Sequence, residues 1–265
     1  MPGSYDRSRK AAVVRQISNN FDQALSVYFG TQTPDPEAAQ GSHDAYVAAL
    51  RAHGTDVTVL PSLDDHPDCC FVEDVAISVN GKAIIPKMGH DSREGEQSAV
   101  IDYLGQSADI VHMDPGCTMD GGDIVFLDDR YLIGISTRTN ESGAKFLAGH
   151  VKESGYDVEF IHIPDTALHL TTVCSSPRPG TLIAAEGHLE PEQISHLAEE
   201  VIWVPNSESY SANTIGYSGD RVLVAGGYPT IRQLLLDAGF TITSVDMDAI
   251  READGSLTCL SQFNA

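Results

Sequence analysis

Several short stretches place ionisable side chains where an apolar strand is expected, and their types could support catalysis. They are PDCCFVED with Asp68, Glu73 and Asp74, TMDGGD with Asp120 and Asp123, ALHL with His169, and DGSLTC with Asp254 and Cys259. A cysteine thiolate can attack an electrophilic carbon, an imidazole can transfer protons, and a carboxylate can orient the imidazole. These residue types therefore indicate nucleophilic catalysis by cysteine.

The remaining carboxylates point to a cationic small molecule as the substrate. Negative neighbours raise the pKa of a thiol, so they do not activate the nucleophile by themselves. A planar guanidinium pairs with carboxylates through parallel hydrogen bonds, and its charge favours a nearby thiolate. The set therefore favours attack of Cys259 on a guanidinium carbon.

Each of these residues also has a structural interpretation. Cys259 can be a buried packing thiol, His169 a structural histidine, and the GGD segment an ordinary loop. A zinc site with His169 and Asp or Cys ligands is a further alternative, but the chain lacks the short ligand spacings typical of zinc. No metal or cofactor is therefore assigned. The other cysteines, which receive no role, are Cys69, Cys70, Cys117 and Cys174.

A recurring pattern of helix, glycine and short apolar strand predicts how these stretches meet. The helices end at Gly54, Gly105, Gly155 and Gly239, and a fifth, PEQISHLAEE, lacks the glycine. Glycine fits the left-handed position just past a helix. Hairpin signals recur with the same rhythm at Asn80–Gly81, Asp128–Asp129, Pro179–Gly180 and Gly219–Asp220. The pattern favours an α/β ring of five repeated ββαβ units over an α/β domain without internal repeats.

The fifth hairpin is missing as a continuous segment. Its strands are expected in residues 10–16 and 256–262, so that pairing of the N- and C-terminal strands closes the ring. The polar stretches all precede or open the first strand of a hairpin. Equivalent positions in a ring converge on its axis, which predicts that these side chains meet in a central channel.

Length and composition narrow the classes of function. The continuous repeat predicts a single domain over residues 1–265, with a mobile lid at about residues 26–44. The net charge of −22, from 38 acidic and 16 basic residues, disfavours nucleic acid as a partner. The chain shows neither a membrane-spanning apolar run nor a secretory signal, and its five cysteines are odd in number. A cytoplasmic protein, monomeric or homodimeric, is expected.

Four strings of this sequence resemble the signature segments of one known family. PDCCFVEDVAI, TMDGGDIVFLDDRYLIGISTRTN, ALHLTTVCS and DGSLTC are similar to segments of the dimethylarginine dimethylaminohydrolase family, within the guanidine-modifying, arginine deiminase-like superfamily. The resemblance runs from about residue 10 to the end. It implies a five-bladed α/β propeller with pseudo-five-fold symmetry.

The resemblance implies a role for each matching residue. Cys259 would be the nucleophile, His169 the general acid and then base, and Asp120 the carboxylate that holds the imidazole. Asp74, with Glu73 nearby, would grip the guanidinium. The residues that would bind the rest of the substrate are Arg93 and Arg138 at its carboxylate, Asp68 and the Leu25 carbonyl at its ammonium, and the Ala253 carbonyl and Phe71 elsewhere along it.

The implied reaction is hydrolysis of asymmetric dimethylarginine or monomethylarginine to citrulline and a methylamine, through a covalent thiouronium on Cys259. The alternative is an arginine deiminase, or a hydrolase of another substituted arginine, in the same superfamily. Two departures bear on the substrate. Thr171 stands where mammalian members carry lysine, and the segment 26–44 matches the family poorly.

Overall fold

The computed structural model of the chain describes residues 7–263, and in this range fifteen strands form five three-stranded sheets. The strands, grouped by sheet, are β1 (Ala11–Arg15), β2 (Asp56–Leu60) and β15 (Gln262–Phe263); β3 (Ile77–Val79), β4 (Lys82–Ile85) and β5 (Asp109–His112); β6 (Ile124–Leu127), β7 (Arg130–Ile135) and β8 (Asp157–His162); β9 (Cys174–Arg178), β10 (Thr181–Ala185) and β11 (Glu200–Val204); and β12 (Thr214–Tyr217), β13 (Arg221–Ala225) and β14 (Thr241–Val245).

Every sheet has the same mixed topology. Its central strand pairs antiparallel with one neighbour and parallel with the other, as β4 does with β3 and β5. A parallel neighbour needs a crossover connection, and a helix supplies it in each unit. These helices are α1 (Pro36–Ala52), α2 (Ser98–Leu104), α3 (Glu141–Glu153), α5 (Pro191–Ile194) and α6 (Pro229–Asp237). The expected five-bladed α/β propeller of ββαβ units is confirmed.

The chain termini close the ring as expected, but with a shorter final strand. β15 pairs antiparallel with β1, with Phe263 opposite Ala12 and Gln262 opposite Val13. The expectation that Cys259 lies in this strand is wrong, because Thr258–Leu260 form a 3₁₀ turn. The Asn213 side chain accepts the Thr258 N–H at 3.1 Å and donates to its hydroxyl at 2.9 Å. Side-chain bonds thus replace ladder bonds in this segment.

Two local expectations also need correction. Gly54, Gly155 and Gly239 have positive φ angles, but Gly105 caps α2 in the right-handed region with φ −62°. Residues 36–44 belong to α1, so the lid cannot include them as a loop. The Asp35 carboxylate accepts the N–H groups of Glu37 and Ala38 and starts this helix. The mobility of the remaining loop stays a prediction.

Five short turns occupy equivalent positions before the first strand of each sheet. They are Val72–Val75, Gly121–Asp123, α4 (Leu170–Val173), Asn206–Ala212 and Thr258–Leu260, and the last follows α7 (Asp248–Arg251) in the chain. Neighbouring turns contact each other around the axis. The predicted convergence of the polar stretches is therefore confirmed at the level of the backbone.

Apolar packing lies between the sheets and the outer helices, whereas charged groups are buried near the axis. Ile133 of β7 and Leu147 and Val151 of α3, for example, are fully buried in one cluster. Asp120 and Asp123 are also fully buried. Within residues 7–263, no helix has the length and apolar character needed to cross a membrane.

If the last strand is part of the cooperative ring, Phe263→Ala will destabilise the whole protein. Phe263 is 6% exposed, and the guanidinium carbon of Arg9 lies 4.5 Å from the centre of the Phe263 ring. We expect a loss of about 3 kcal/mol in the free energy of unfolding, measured in urea. Phe160→Ala is the matched control, because Phe160 is 37% exposed. Equal small effects of both substitutions would mean that the terminal strand frays independently.

Candidate active site

The imidazole of His169 lies buried at the first residue before α4, in contact with a carboxylate from another turn. Its Nε2 is 3.1 Å from Oδ2 of Asp120, and a carboxylate can only accept, so Nε2 carries the hydrogen. The other Asp120 oxygen accepts the Gly89 N–H at 2.8 Å. Asp120 is thereby fixed in place and fixes the ring in turn.

A second carboxylate faces the opposite side of this ring. Oδ1 of Asp74 is 3.9 Å from Nδ1 of His169 and accepts the Gly122 N–H at 3.0 Å. A Cβ at Gly122 would lie 2.6 Å from Nδ1, so only glycine allows this approach. Gly122 of the GGD segment is therefore required by the packing around the imidazole.

The protonation states follow from this arrangement. Burial lowers the pKa of His169, but Asp74, Asp120 and Asp123 outweigh it and raise the value to about 9. Burial raises the pKa of Asp120, yet the hydrogen bond and charge of His169 bring it below its usual value. At neutral pH the pair is an imidazolium and a carboxylate, so His169 can donate a proton.

Arg93 is held in a buried network of acidic partners. Its Nη1 is 2.5 Å from Asp74, its Nε and Nη2 bind Glu96, and Nη2 donates to the Phe71 carbonyl at 2.9 Å. These bonds pair the buried Asp74 carboxyl group with the buried Arg93 guanidinium. Glu96 was missed in the sequence analysis, although its spacing of three residues from Arg93 is a usable signal.

One cavity collects most of the predicted site residues. We call it the Cys259 cavity; its volume is about 30 Å³. Nine of the eleven predicted residues line it, namely Leu25, Asp68, Phe71, Asp74, Arg93, Arg138, His169, Ala253 and Cys259. Asp120 lies behind His169, and Glu73 faces elsewhere.

Glu73 lines a second cavity of about 70 Å³, together with Thr258. Its carboxylate accepts the Thr258 hydroxyl at 2.8 Å. Burial and the neighbouring Asp74 raise its pKa to about 8, so Glu73 is mostly protonated at neutral pH. Adjacent residues thus face different cavities, with Asp74 and Cys259 on one side and Glu73 and Thr258 on the other.

The thiol of Cys259 is half-buried and protonated in the ligand-free protein. Burial raises its pKa well above the usual range, and Glu73, once it ionises near pH 8, and Asp74 add to this effect. A cation bound beside Asp74 would neutralise part of that field and lower the thiol pKa. The cavity is therefore suited to a nucleophile that is activated by its own ligand.

Asp68 and Arg138 lie at the same cavity with opposite charges. Burial raises the pKa of Asp68, although the Arg93 guanidinium and the Leu25 N–H, 3.1 Å away, oppose this. Arg138 is 3.5 Å from Asp120, and its side chain is 13% exposed. A ligand with an ammonium and a carboxylate at one end could pair with both residues.

Asp74, Asp120 and His169 are close enough to share a metal ion, since their ligand atoms lie within 4.8 Å of one another. Both carboxylates already pair with cations, Asp74 with Arg93 and Asp120 with His169. The Nε2 hydrogen also occupies the nitrogen that faces Asp120. This donor set fits proton transfer better than metal binding.

Comparison with known proteins places the chain in a family. The sequence profile described as "N,N dimethylarginine dimethylhydrolase, eukaryotic" matches residues 17–208. The dimethylarginine dimethylaminohydrolase of Streptomyces coelicolor is 32% identical over 255 residues, covering 95% of this chain and 96% of that protein. The Pseudomonas aeruginosa enzyme of the same name is 30% identical over 230 residues, covering 86% and 89%.

A solved structure agrees with this assignment. A cysteine-to-serine mutant of the Pseudomonas aeruginosa enzyme, complexed with citrulline, superposes with a TM-score of 0.88. It is 29% identical, with 95% of this chain and 98% of that chain covered. The expected family is confirmed: the chain belongs to the dimethylarginine dimethylaminohydrolase family of hydrolases that act on amidino groups.

Proposed function

We propose that this protein hydrolyses N-omega-methylated arginine, asymmetric dimethylarginine or monomethylarginine, to citrulline and a methylamine. The observation that carries the proposal is the Cys259 cavity, where a thiol, an imidazolium and an Asp74–Arg93 pair meet. A guanidinium is the cation whose shape and charge suit a carboxylate beside a thiol. The similarity to enzymes named for this activity supports the same conclusion.

In the first half-reaction the substrate guanidinium lies against Asp74. Its positive charge lowers the pKa of the Cys259 thiol, which loses its proton to solvent, and the thiolate sulfur forms a bond to the guanidinium carbon. His169 gives its Nδ1 proton to the methylated nitrogen as the C–N bond breaks, because Nε2 is engaged with Asp120. A neutral methylamine leaves, and a thiouronium cation remains on Cys259.

In the second half-reaction the neutral imidazole of His169 takes a proton from water. The water oxygen attacks the thiouronium carbon, the C–S bond breaks, and the second proton of the water goes to the departing sulfur. Citrulline is released with the cysteine regenerated. Asp120 stabilises the imidazolium that forms in this step, as an orienting carboxylate does in other nucleophile–histidine pairs.

The amino-acid end of the substrate pairs with the other charged groups of the cavity. We assign the α-ammonium to Asp68 and the Leu25 carbonyl, and the α-carboxylate mainly to Arg138. Arg93 already binds Asp74 and Glu96, so a contact to the carboxylate would add to those bonds. The Ala253 carbonyl is assigned as a hydrogen-bond acceptor for the guanidinium. Phe71 forms an apolar part of the cavity wall.

A panel of substrates tests the proposed function directly. Asymmetric dimethylarginine, monomethylarginine and arginine are supplied separately, and citrulline and the released amine are measured. We expect the methylated substrates to be consumed with higher kcat/KM than arginine, with release of the matching methylamine. Turnover of arginine alone, with release of ammonia, would instead favour the deiminase alternative.

Replacement of the nucleophile should abolish turnover without abolishing binding. We expect Cys259→Ser to lower kcat by a factor on the order of 10⁴ or more, since a serine hydroxyl is not ionised beside Asp74. Mass spectrometry of acid-quenched wild-type protein should show the covalent thiouronium. Cys117→Ser is the control, because Cys117 lies outside the Cys259 cavity. Residual turnover near the wild-type rate would exclude Cys259 as the nucleophile.

The raised pKa of the Cys259 thiol predicts a pH dependence for its alkylation by iodoacetamide. An acid with a raised pKa stays protonated at neutral pH, so the reactive thiolate appears only as pH rises. The rate in the free protein should increase about tenfold per pH unit from pH 7 to 8.5, without a plateau. Asp74→Asn removes one of the charges that raise this pKa and should speed alkylation at pH 8.

Labelling is followed by mass spectrometry of the Cys259 peptide, with Cys259→Ser as the blank for the other cysteines. A plateau below pH 7 in the wild-type protein would mean that the thiolate is already formed without a ligand. That result would remove substrate charge from the proposed activation of Cys259.

A further inference from the structure

Two carboxylates near the C-terminus capture an unbroken run of backbone donors in the loop before α1. Successive N–H groups of residues 27–32 all point at them, and the loop adopts no helix or strand there. Asp254 accepts the N–H groups of Val27, Tyr28, Phe29 and Gly30, and Glu252 accepts those of Thr31 and Gln32. Charge-assisted hydrogen bonds of this kind are stronger than neutral ones.

The loop formed by residues 25–32, which we call the covering loop, lies over the Cys259 cavity. Leu25, Val27 and Tyr28 contribute to the cavity wall. The cavity holds only about 30 Å³, whereas a single water needs about 10–15 Å³. A substituted arginine needs more space than this, so parts of the cavity wall, to which the covering loop contributes three residues, must shift when such a ligand enters.

The acceptors lie on a turn that is itself fixed, which we call the acceptor turn, residues 252–255. Asp254 has a left-handed φ of +57°, and its N–H donates to Arg251 at 3.0 Å. Gly255 packs against Phe71 with no room for a Cβ, and its carbonyl accepts the Tyr210 hydroxyl at 2.8 Å. The moving partner is therefore the covering loop, and the acceptor turn is its support.

The backbones of the two segments also lie close together at Gly30. A Cβ at this position would collide with the Glu252 carbonyl oxygen. Phe29 adds an edge-to-face contact with Tyr210, with ring centres 5.2 Å apart. The closed arrangement thus depends on both the carboxylates and a glycine that lets the backbones meet.

The acceptor turn also carries groups of the catalytic cavity. Ala253 and Gly255 line the cavity next to Cys259, and Asp254 stands between them in the chain. Asp254 and Glu252 are 8% and 7% exposed, so loss of the loop donors would leave both carboxylates poorly solvated until water enters. Closure of the loop and order in the guanidinium end of the cavity are therefore coupled through this turn.

We propose that Asp254 and Glu252 are positioning residues that hold the covering loop closed over the bound substrate. The hydrogen bonds open when substrate enters and re-form around it, which retains the substrate in the cavity. Their function in catalysis rests on the proposed function of the Cys259 cavity, but the closure itself does not require any particular substrate.

Hydrogen exchange of the covering loop tests the proposal without a substrate. Asp254→Gly removes both acceptor oxygens, and glycine tolerates the left-handed backbone. Peptides spanning residues 25–35 should exchange at least about tenfold faster than in the wild-type protein, while peptides of α3 remain unchanged. Gly30→Ala keeps both carboxylates but wedges the segments apart, and should raise exchange in the same peptides.

Asp248→Asn is the control, since this exposed carboxylate lies in the same part of the chain, whereas the loop N–H groups bond to Asp254 and Glu252. With a substrate that is turned over, Asp254→Gly should raise KM about fivefold or more and change kcat less than about twofold. Unchanged exchange in Asp254→Gly, or an equal effect in Asp248→Asn, would overturn the proposal. So would faster exchange throughout the chain, because Asp254 would then serve general stability.

A protein that hydrolyses none of the methylated arginines would refute the proposed function. The exchange measurement would still decide whether the two carboxylates hold the loop. The two hypotheses therefore fail separately.

Discussion

An imidazolium buried between Asp74 and Asp120 needs partners that are themselves held by opposite charge and hydrogen bonds, and this requirement shapes the surrounding structure. Burying a lone charge is costly, so each ion needs close partners of opposite sign and hydrogen bonds to its remaining atoms. Arg93 forms ion pairs with Asp74 and Glu96. The Gly89 N–H donates a hydrogen bond to Asp120, and the Gly122 N–H donates one to Asp74. The raised pKa of His169 is the chemical result of this network.

The propeller supplies this network because it brings distant segments to one axis. Asp74, Asp120 and His169 each stand in or just before a short turn that precedes an antiparallel hairpin. The hydrophobic packing lies away from the axis, between sheets and helices. Charged side chains can therefore be buried near the axis without replacing apolar side chains of the core. The ring closes only when β15 pairs with β1, and that pairing also holds the segment that carries Cys259.

The ring and the convergence of polar stretches were predictable because turn dipeptides and glycines recur with one period. Local chemistry was harder to predict. Cys259 lies in a 3₁₀ turn because Asn213, distant in sequence, supplies the bonds that a strand ladder would otherwise make. Glu73 and Asp74 are neighbours in one motif, yet backbone direction sends them into different cavities. Residues 36–44 contain glycine and serine, but a capping aspartate makes them helical.

The acidic composition has a different meaning once the partners are known. From the sequence alone, every carboxylate expected near the axis counts as a group that could bind a cationic ligand, because its partners are not known. In the structure Asp254 and Glu252 are engaged by loop N–H groups, and Glu96 by Arg93. Asp68 and Asp74 remain at the cavity surface, beside the thiol and two arginines. The cavity therefore presents a small, directed set of charges, and a ligand must match their positions as well as their sign.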